Sequence, residues 1–146
     1  MTTLPQTLVL PRNVVTRILT QAQQQPETET CGLLSARDGD VSAYYPVKNI
    51  AADPASRFEM EPQHQIAAMK SMRENNEQLF AVVHSHPHSP AAPSAADVAE
   101  YGYPDAYYLI VSLNVKGVLE IRGFRQVDGE MRPVELHYAH GDEDAG

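Results

Sequence analysis

The chain has 146 residues, one cysteine and a formal net charge of −8. That length suits one domain with one core, and a lone cysteine excludes an intramolecular disulfide framework. The 11 Lys and Arg residues are scattered, which argues against nucleic acid as a partner. No stretch approaches the roughly 20 apolar residues that span a bilayer. The N-terminus lacks a basic region followed by an apolar run, so it does not read as a signal peptide. A reducing, cytoplasmic setting is the expectation.

"TLVL" (7–10) is a short strand. Pro11 then fits the first turn of a helix whose apolar stripe is Val14, Val15, Ile18, Leu19 and Ala22, and Pro26 ends it. "ETCGLLSA" (29–36) and "VSAYYPV" (41–47) are strands joined by a turn at "DGD" (38–40), which suggests a hairpin. Residues 48–56 form a loop and "RFEM" (57–60) a short strand. Pro62 opens a helix to about Asn76, with Ile66, Met69 and Met72 facing inward. "QLFAVVHSH" (78–86) is a strand, and its unbroken apolar run places it centrally, buried on both faces. Pro87, Pro90 and Pro93 impose an irregular loop, and Ser94 begins a short helix. "AYYLIVSL" (106–113) is a second central strand. "VLEIRGF" (118–124) and "MRPVELHY" (131–138) close the chain, and Pro133 suggests an edge position for the last. This order predicts an α/β (α+β) domain over residues 1–138, with a mixed, partly curled β-sheet packed by helices. Residues 139–146, which include "HGDEDAG", read as an acidic, disordered tail.

Three histidines fall within "HSHPH" at the end of the 78–86 strand. His84 and His86 stand two apart, so on a strand their rings share a face and can converge on one ion. Zinc takes such nitrogen ligands together with a carboxylate, and a catalytic zinc keeps a fourth position open. Asp97, brought back by the proline loop, is the candidate third ligand. The competing reading makes "SAAD" (94–97) a capping box, with Asp97 bonded only to backbone N–H groups. Placement favours the metal, because histidines ending a buried strand meet neither water nor an apolar partner. His88 is a rival ligand only if the strand continues past Pro87, so it reads as loop surface near the site mouth. His64, His137 and His140 lack ligand spacing and read as surface.

A zinc hydrolase also needs a base to take a proton from water. The His-Glu-x-x-His helix is absent, and so is the His-x-Glu with a later Pro-Cys-x-x-Cys of the nucleobase deaminases. Glu29 is the best candidate, but taken alone a Glu ahead of a strand reads as solvated. Gly32 implies a kink or a close approach to that strand. Cys31 shares the strand face of Glu29; a metal or redox role is open to it, while a buried free thiol is the commoner state.

With Glu29, His84, His86, Ser94 and Asp97 assembled, the sequence resembles the JAMM (MPN-plus) zinc metallopeptidases. Their signature is an upstream Glu, then His-x-His-Pro, then a Ser and an Asp at fixed distances. Here those elements are "ETCGLL", "HSHP" at 84–87, Ser94 after seven intervening residues, and Asp97 after two more. "PSAAD" and "YYLIVSL" are also similar to the family, and the likeness runs from about residue 8 to residue 136. It implies a JAMM/MPN-like fold of cytidine-deaminase-like architecture. It implies one Zn2+ per chain on His84, His86 and Asp97, with Glu29 as general base and Ser94 as hydrogen-bond donor to the oxyanion. Relatives that cleave ubiquitin isopeptide bonds carry two long insertions. The matching regions here, around 48–58 and 98–106, are short, like those of compact bacterial members that act on ubiquitin-like sulfur carriers. The implied partner is therefore a ubiquitin-like or sulfur-carrier protein with a Gly-Gly C-terminus, and neither nucleic acid nor a membrane. Hydrolysis after its last glycine would release cysteine or trim C-terminal residues. Tyr103 and Asp105 are candidate substrate-channel residues. Two alternatives stand: a non-catalytic MPN-type interaction module, and a JAMM peptidase acting on cell-wall or phage-associated peptides.

Overall fold

The computed structural model describes residues 5–95, 97, 102–115 and 117–139. The elements run β1 (Thr7–Pro11), α1 (Arg12–Gln24), β2 (Cys31–Arg37), β3 (Asp40–Val47), α2 (Pro62–Glu74), β4 (Gln78–His86), β5 (Tyr107–Ser112), β6 (Glu120–Val127) and β7 (Glu130–Ala139). Seven strands form one sheet in the order β1-β7-β6-β5-β4-β2-β3. β1 lies parallel to β7 and β4 parallel to β5, and the remaining pairs are antiparallel. The expected mixed sheet is thus present. It is also curled: α1 packs against both β1 and β3, the two edges, so the sheet wraps around that helix.

Strand alternation sorts the core into two faces. Tyr107, Leu109 and Val111 of β5 join Leu8, Leu10, Val14, Ile18 and Ala22 on the α1 side. Tyr108 and Ile110 join Cys31, Leu33, Val82, Ala68 and Met72 on the α2 side. Every residue of β5 is buried, as its unbroken apolar run requires of a strand at the middle of the sheet. The β2–β3 turn has φ of 52° at Asp38 and 87° at Gly39. Two positive φ values in a two-residue loop match the twist of the flanking strands, and Asp-Gly is a favoured pair for them.

Four expectations change. "RFEM" is not a strand; it contributes one isolated bridge, Asn49 to Met60. Ile66 is 65 % exposed. The inward stripe of α2 runs through Ala68 and Met72, and Ile66 falls to its solvent side. β7 is not an edge strand, because β1 and β6 flank it. Pro133 is tolerated there because β1 pairs only with Glu135–Ala139, so at Pro133 the strand has a single neighbour, through Phe124 of β6. β6 begins at Glu120, leaving Val118 and Leu119 outside it and exposed. Ala139 ends β7, and the rest of the expected acidic tail lies outside the described residues. Among the described residues, no helix is long and apolar enough to cross a membrane.

Candidate metal centre

β4 carries His84 and His86 to its C-terminal end on the α2 face of the sheet. The antiparallel β2–β4 register sets Cys31 opposite His84, which brings the chain just ahead of β2 alongside His86. Glu29 sits in that lead-in, 4 % exposed. The proline loop then returns Asp97, 3 % exposed, to the same place. One ligand-type atom from each of Glu29, His84, His86 and Asp97 lies within 4.8 Å of the others. His84 Nε2 is 2.9 Å from His86 Nε2 and 3.2 Å from Asp97 Oδ1, and His86 Nε2 is 3.0 Å from Asp97 Oδ2. Glu29 Oε1 stands 3.9 Å from His84 Nε2.

The donor set fits a divalent cation. Tetrahedral zinc with bonds near 2.0–2.1 Å would hold its ligands roughly 3.3 Å apart, close to the spacings here. His86 Nδ1 lies 2.7 Å from the Pro90 carbonyl, which can only accept. In the neutral ring the hydrogen therefore sits on Nδ1, and Nε2 turns a lone pair toward the cluster. Glu29 Oε1 is buried without a hydrogen-bond partner, as is His84 Nδ1. Such an orphaned carboxylate oxygen is costly unless something else is present for it to meet.

Asp97 makes the capping contacts, and its carboxylate also reaches both imidazoles. Its N–H donates to Ser94 Oγ at 3.0 Å, and Ser94 N–H donates to Asp97 Oδ2 at 2.9 Å. That is the reciprocal capping pair, and it aims the same carboxylate at both imidazoles. Residues 95 and 97 are helical; residues 98–101 of the expected helix lie outside the described residues. Ser94 is exposed at the rim, and its capping bond uses an oxygen lone pair, not the hydroxyl hydrogen.

Burial dominates the electrostatics. It pushes the Glu29 carboxyl up to about 7, opposed by His86 and assisted by Asp97 and Asp53. Burial likewise lowers His84, with Asp97 pulling the other way. Burial opposes charge on His86 too, but the Asp97 carboxylate and the Pro90 carbonyl outweigh it and hold this imidazole above its ordinary value. Burial would raise Asp97; hydrogen bonds with the two histidines reverse that and keep the carboxyl well below the usual range.

Several supporting residues carry no motif. Ser85, between the two histidines, points to the opposite face and ties the strands. Its Oγ accepts from Thr30 N at 2.8 Å, and its N–H donates to Thr30 O at 2.9 Å. Asn49 bonds backbone groups with both ends of its amide. Nδ2 donates to Glu29 O and Arg57 O, and Oδ1 accepts from Ala51 N and Glu59 N. Glu29 N–H donates to Pro54 O at 2.7 Å, so the 48–61 loop holds both backbone groups of Glu29. Phe58 of this loop stacks on the His84 ring at 4.6 Å. No local sequence pattern marks these roles: Ser85 lies on β4, whereas Asn49 and Phe58 lie in the 48–61 loop.

The other candidates fall outside the cluster. His88 is exposed, 3.4 Å from Glu27, and His64 and His137 are exposed. His140 lies outside the described residues. Cys31 is fully buried, donates from Sγ to Val47 O, and has its thiol pushed up to about 12 by burial and then by Glu29. That is the state of an inert structural thiol. Gly32 is explained by the Tyr44 ring, which occupies the space a Cβ would need. Tyr103 borders a cavity of about 370 Å3 with Phe58, Met60, Val82 and Tyr108, next to His84. Asp105 precedes β5 and borders a different cavity with Thr7, Phe80 and Tyr107, at the end of the sheet opposite the histidines.

Fold and site together define a small α+β domain with a buried, strand-end cluster of metal-ligand type. Residues 11–125 match the model of the prokaryotic homologues of the JAB domain, and the chain belongs to that family. The JAMM resemblance read from the five-residue motif is borne out at that level. A desampylase of Haloferax volcanii is 35% identical over 94 residues, 62% of this chain and 67% of the relative. The CysO-cysteine peptidase of Mycobacterium tuberculosis is 28% identical over 124 residues, 84% of each chain. A solution structure of a Desulfitobacterium hafniense protein matches with a TM-score of 0.80 at 33% identity, over 90% of this chain and 92% of that one.

Proposed function

We propose that the chain is a zinc-dependent peptidase or isopeptidase that hydrolyses the bond after the C-terminal Gly-Gly of a ubiquitin-like or sulfur-carrier protein. The observation that carries this is the buried cluster itself, with an unpartnered Glu29 oxygen facing two imidazoles and a carboxylate that all reach one point. His84, His86 and Asp97 would hold the ion, with Asp97 fixed by Ser94 and His86 by the Pro90 carbonyl. A divalent cation bound there supplies Lewis acidity, lowering the pKa of water and polarising a carbonyl.

The remaining steps belong to the protein. Glu29 takes the proton of the attacking water and passes it to the departing amine. Ser94 offers its hydroxyl hydrogen where negative charge develops on the carbonyl oxygen. Tyr103, with Phe58 and Met60, lines a mostly apolar cavity that suits the carrier tail. The names of the relatives, a desampylase and a CysO-cysteine peptidase, support a ubiquitin-like conjugate as the kind of substrate.

The test is cleavage of a Gly-Gly carrier conjugate followed by mass spectrometry. Glu29→Gln is expected to retain zinc and to slow cleavage by roughly 10²–10⁴-fold, the usual contribution of a general base. Cleavage by Glu29→Gln at the wild-type rate would overturn the assignment.

A further inference from the structure

Another cavity, of about 450 Å3, has Glu29 in its wall, shares no lining residue with the cavity beside His84, and is bordered by Gln25, Lys48, Asn49 and His64. Its position has a chemical consequence that rests on the proposed peptidase reading. The base that protonates the departing amine must lie on the leaving-group side of the cut bond. If Glu29 is that base, the cavity on its wall receives what is released, and the apolar cavity beside His84 receives the carrier tail.

The polar groups of this cavity differ in what they have left to offer. The Asn49 amide is committed to four backbone groups. Gln21, also on the wall, donates to Cys31 O and accepts from the Tyr44 hydroxyl. The Lys48 side chain remains: the residue is exposed, its carbonyl accepts from Glu61 N–H, and its ammonium has no hydrogen bond or close ion pair among the described residues. Glu61 tempers the local positive charge, since its carboxylate is 4.0 Å from His64 and feels Lys48 at longer range. Among the residues bordering the cavity, Lys48 is the one formal cation, in a chain of net charge −8.

We propose that this cavity is the leaving-group subsite and that the Lys48 ammonium binds the α-carboxylate of a released amino acid. The enzyme then favours conjugates whose leaving group is a single residue with a free carboxylate. A leaving group joined through a lysine side chain, or blocked at its carboxyl end, forfeits that contact.

The experiment uses one carrier protein bearing a single alanine after its Gly-Gly end, prepared as the free acid and as the carboxamide. The zinc-loaded wild type is expected to show a kcat/KM about five- to tenfold higher for the acid, a preference that shrinks as salt screens the pair. Lys48→Met is expected to bring the acid down to the level of the amide through KM, while Lys48→Arg keeps the preference. Equal turnover of acid and amide by the wild type, or an equal loss on both substrates in Lys48→Met, overturns the subsite. Cleavage of neither substrate by the wild type overturns the peptidase reading, and the subsite with it.

Discussion

Glu29 places a carboxyl group where water barely reaches, and that has a consequence for stability. Its folded-state value of about 7 lies above the ordinary 4.5. A raised value means that the folded state prefers the neutral acid. The associated stability is fully present below about 4.5 and is lost as pH rises through about 7. In chelator-treated protein the effect is at most about 3 kcal/mol, from the linkage between pKa and free energy. Denaturant unfolding between pH 5 and 9 is the measurement. Wild type is expected to lose stability relative to Glu29→Gln across that window, whereas parallel curves would contradict the burial argument. At this scale strand periodicity pairs His84 with His86, while Glu29 and Asp97 stand out only through their spacing in the motif. The capping contact of Asp97 leaves its carboxylate in the cluster, since one oxygen serves the Ser94 N–H while both face imidazoles. Phe58, Asn49 and Ser85 were not legible. Their roles arise from backbone groups brought together by folding, which no local pattern records.

Two elements position Glu29, the proposed base: the β2–β4 pairing and the 48–61 loop. Removing the Asn49 amide leaves the carbonyls of Glu29 and Arg57 and the N–H groups of Ala51 and Glu59 without their partner. Asn49→Ala is expected to destabilise the protein by about 1–3 kcal/mol and to lower kcat on a carrier conjugate with zinc content unchanged. An unaltered kcat would show that the loop does not position Glu29. Gly32→Ala tests the other element. A methyl there meets the Tyr44 ring, which α1 holds through Gln21, so overpacking should cost about 1–3 kcal/mol in thermal or denaturant unfolding; a neutral effect would mean that Tyr44 moves freely. Element type was largely readable where apolar runs were long, as in β4 and β5. It failed at "RFEM", where four residues of mixed polarity fit a strand and a loop equally well. It failed at Ile66 because α2 buries a narrow stripe, and a single apolar residue beside that stripe has no pattern of its own.

At the scale of the molecule, the curl of the sheet follows from a pairing no local signal announces: Thr7 of β1 meets Glu135 of β7. The same topology sets β4 and β5 parallel at the centre, so that His84 and His86 leave the sheet beside the loop that returns Asp97. The metal centre thus joins the lead-in of β2, the end of β4 and the start of the following helix. An ion held there would cross-link these three segments. Binding to the folded state alone stabilises by mass action, so zinc is expected to raise the melting temperature in a concentration-dependent way.

The most direct measurement is calorimetric titration of zinc into chelator-stripped protein. One zinc per chain is expected to bind wild type and Glu29→Gln, with binding lost in His86→Ala and Asp97→Ala variants that remain folded. Absence of stoichiometric binding to the wild type, or binding that survives both ligand substitutions, would contradict a metal centre at Glu29, His84, His86 and Asp97.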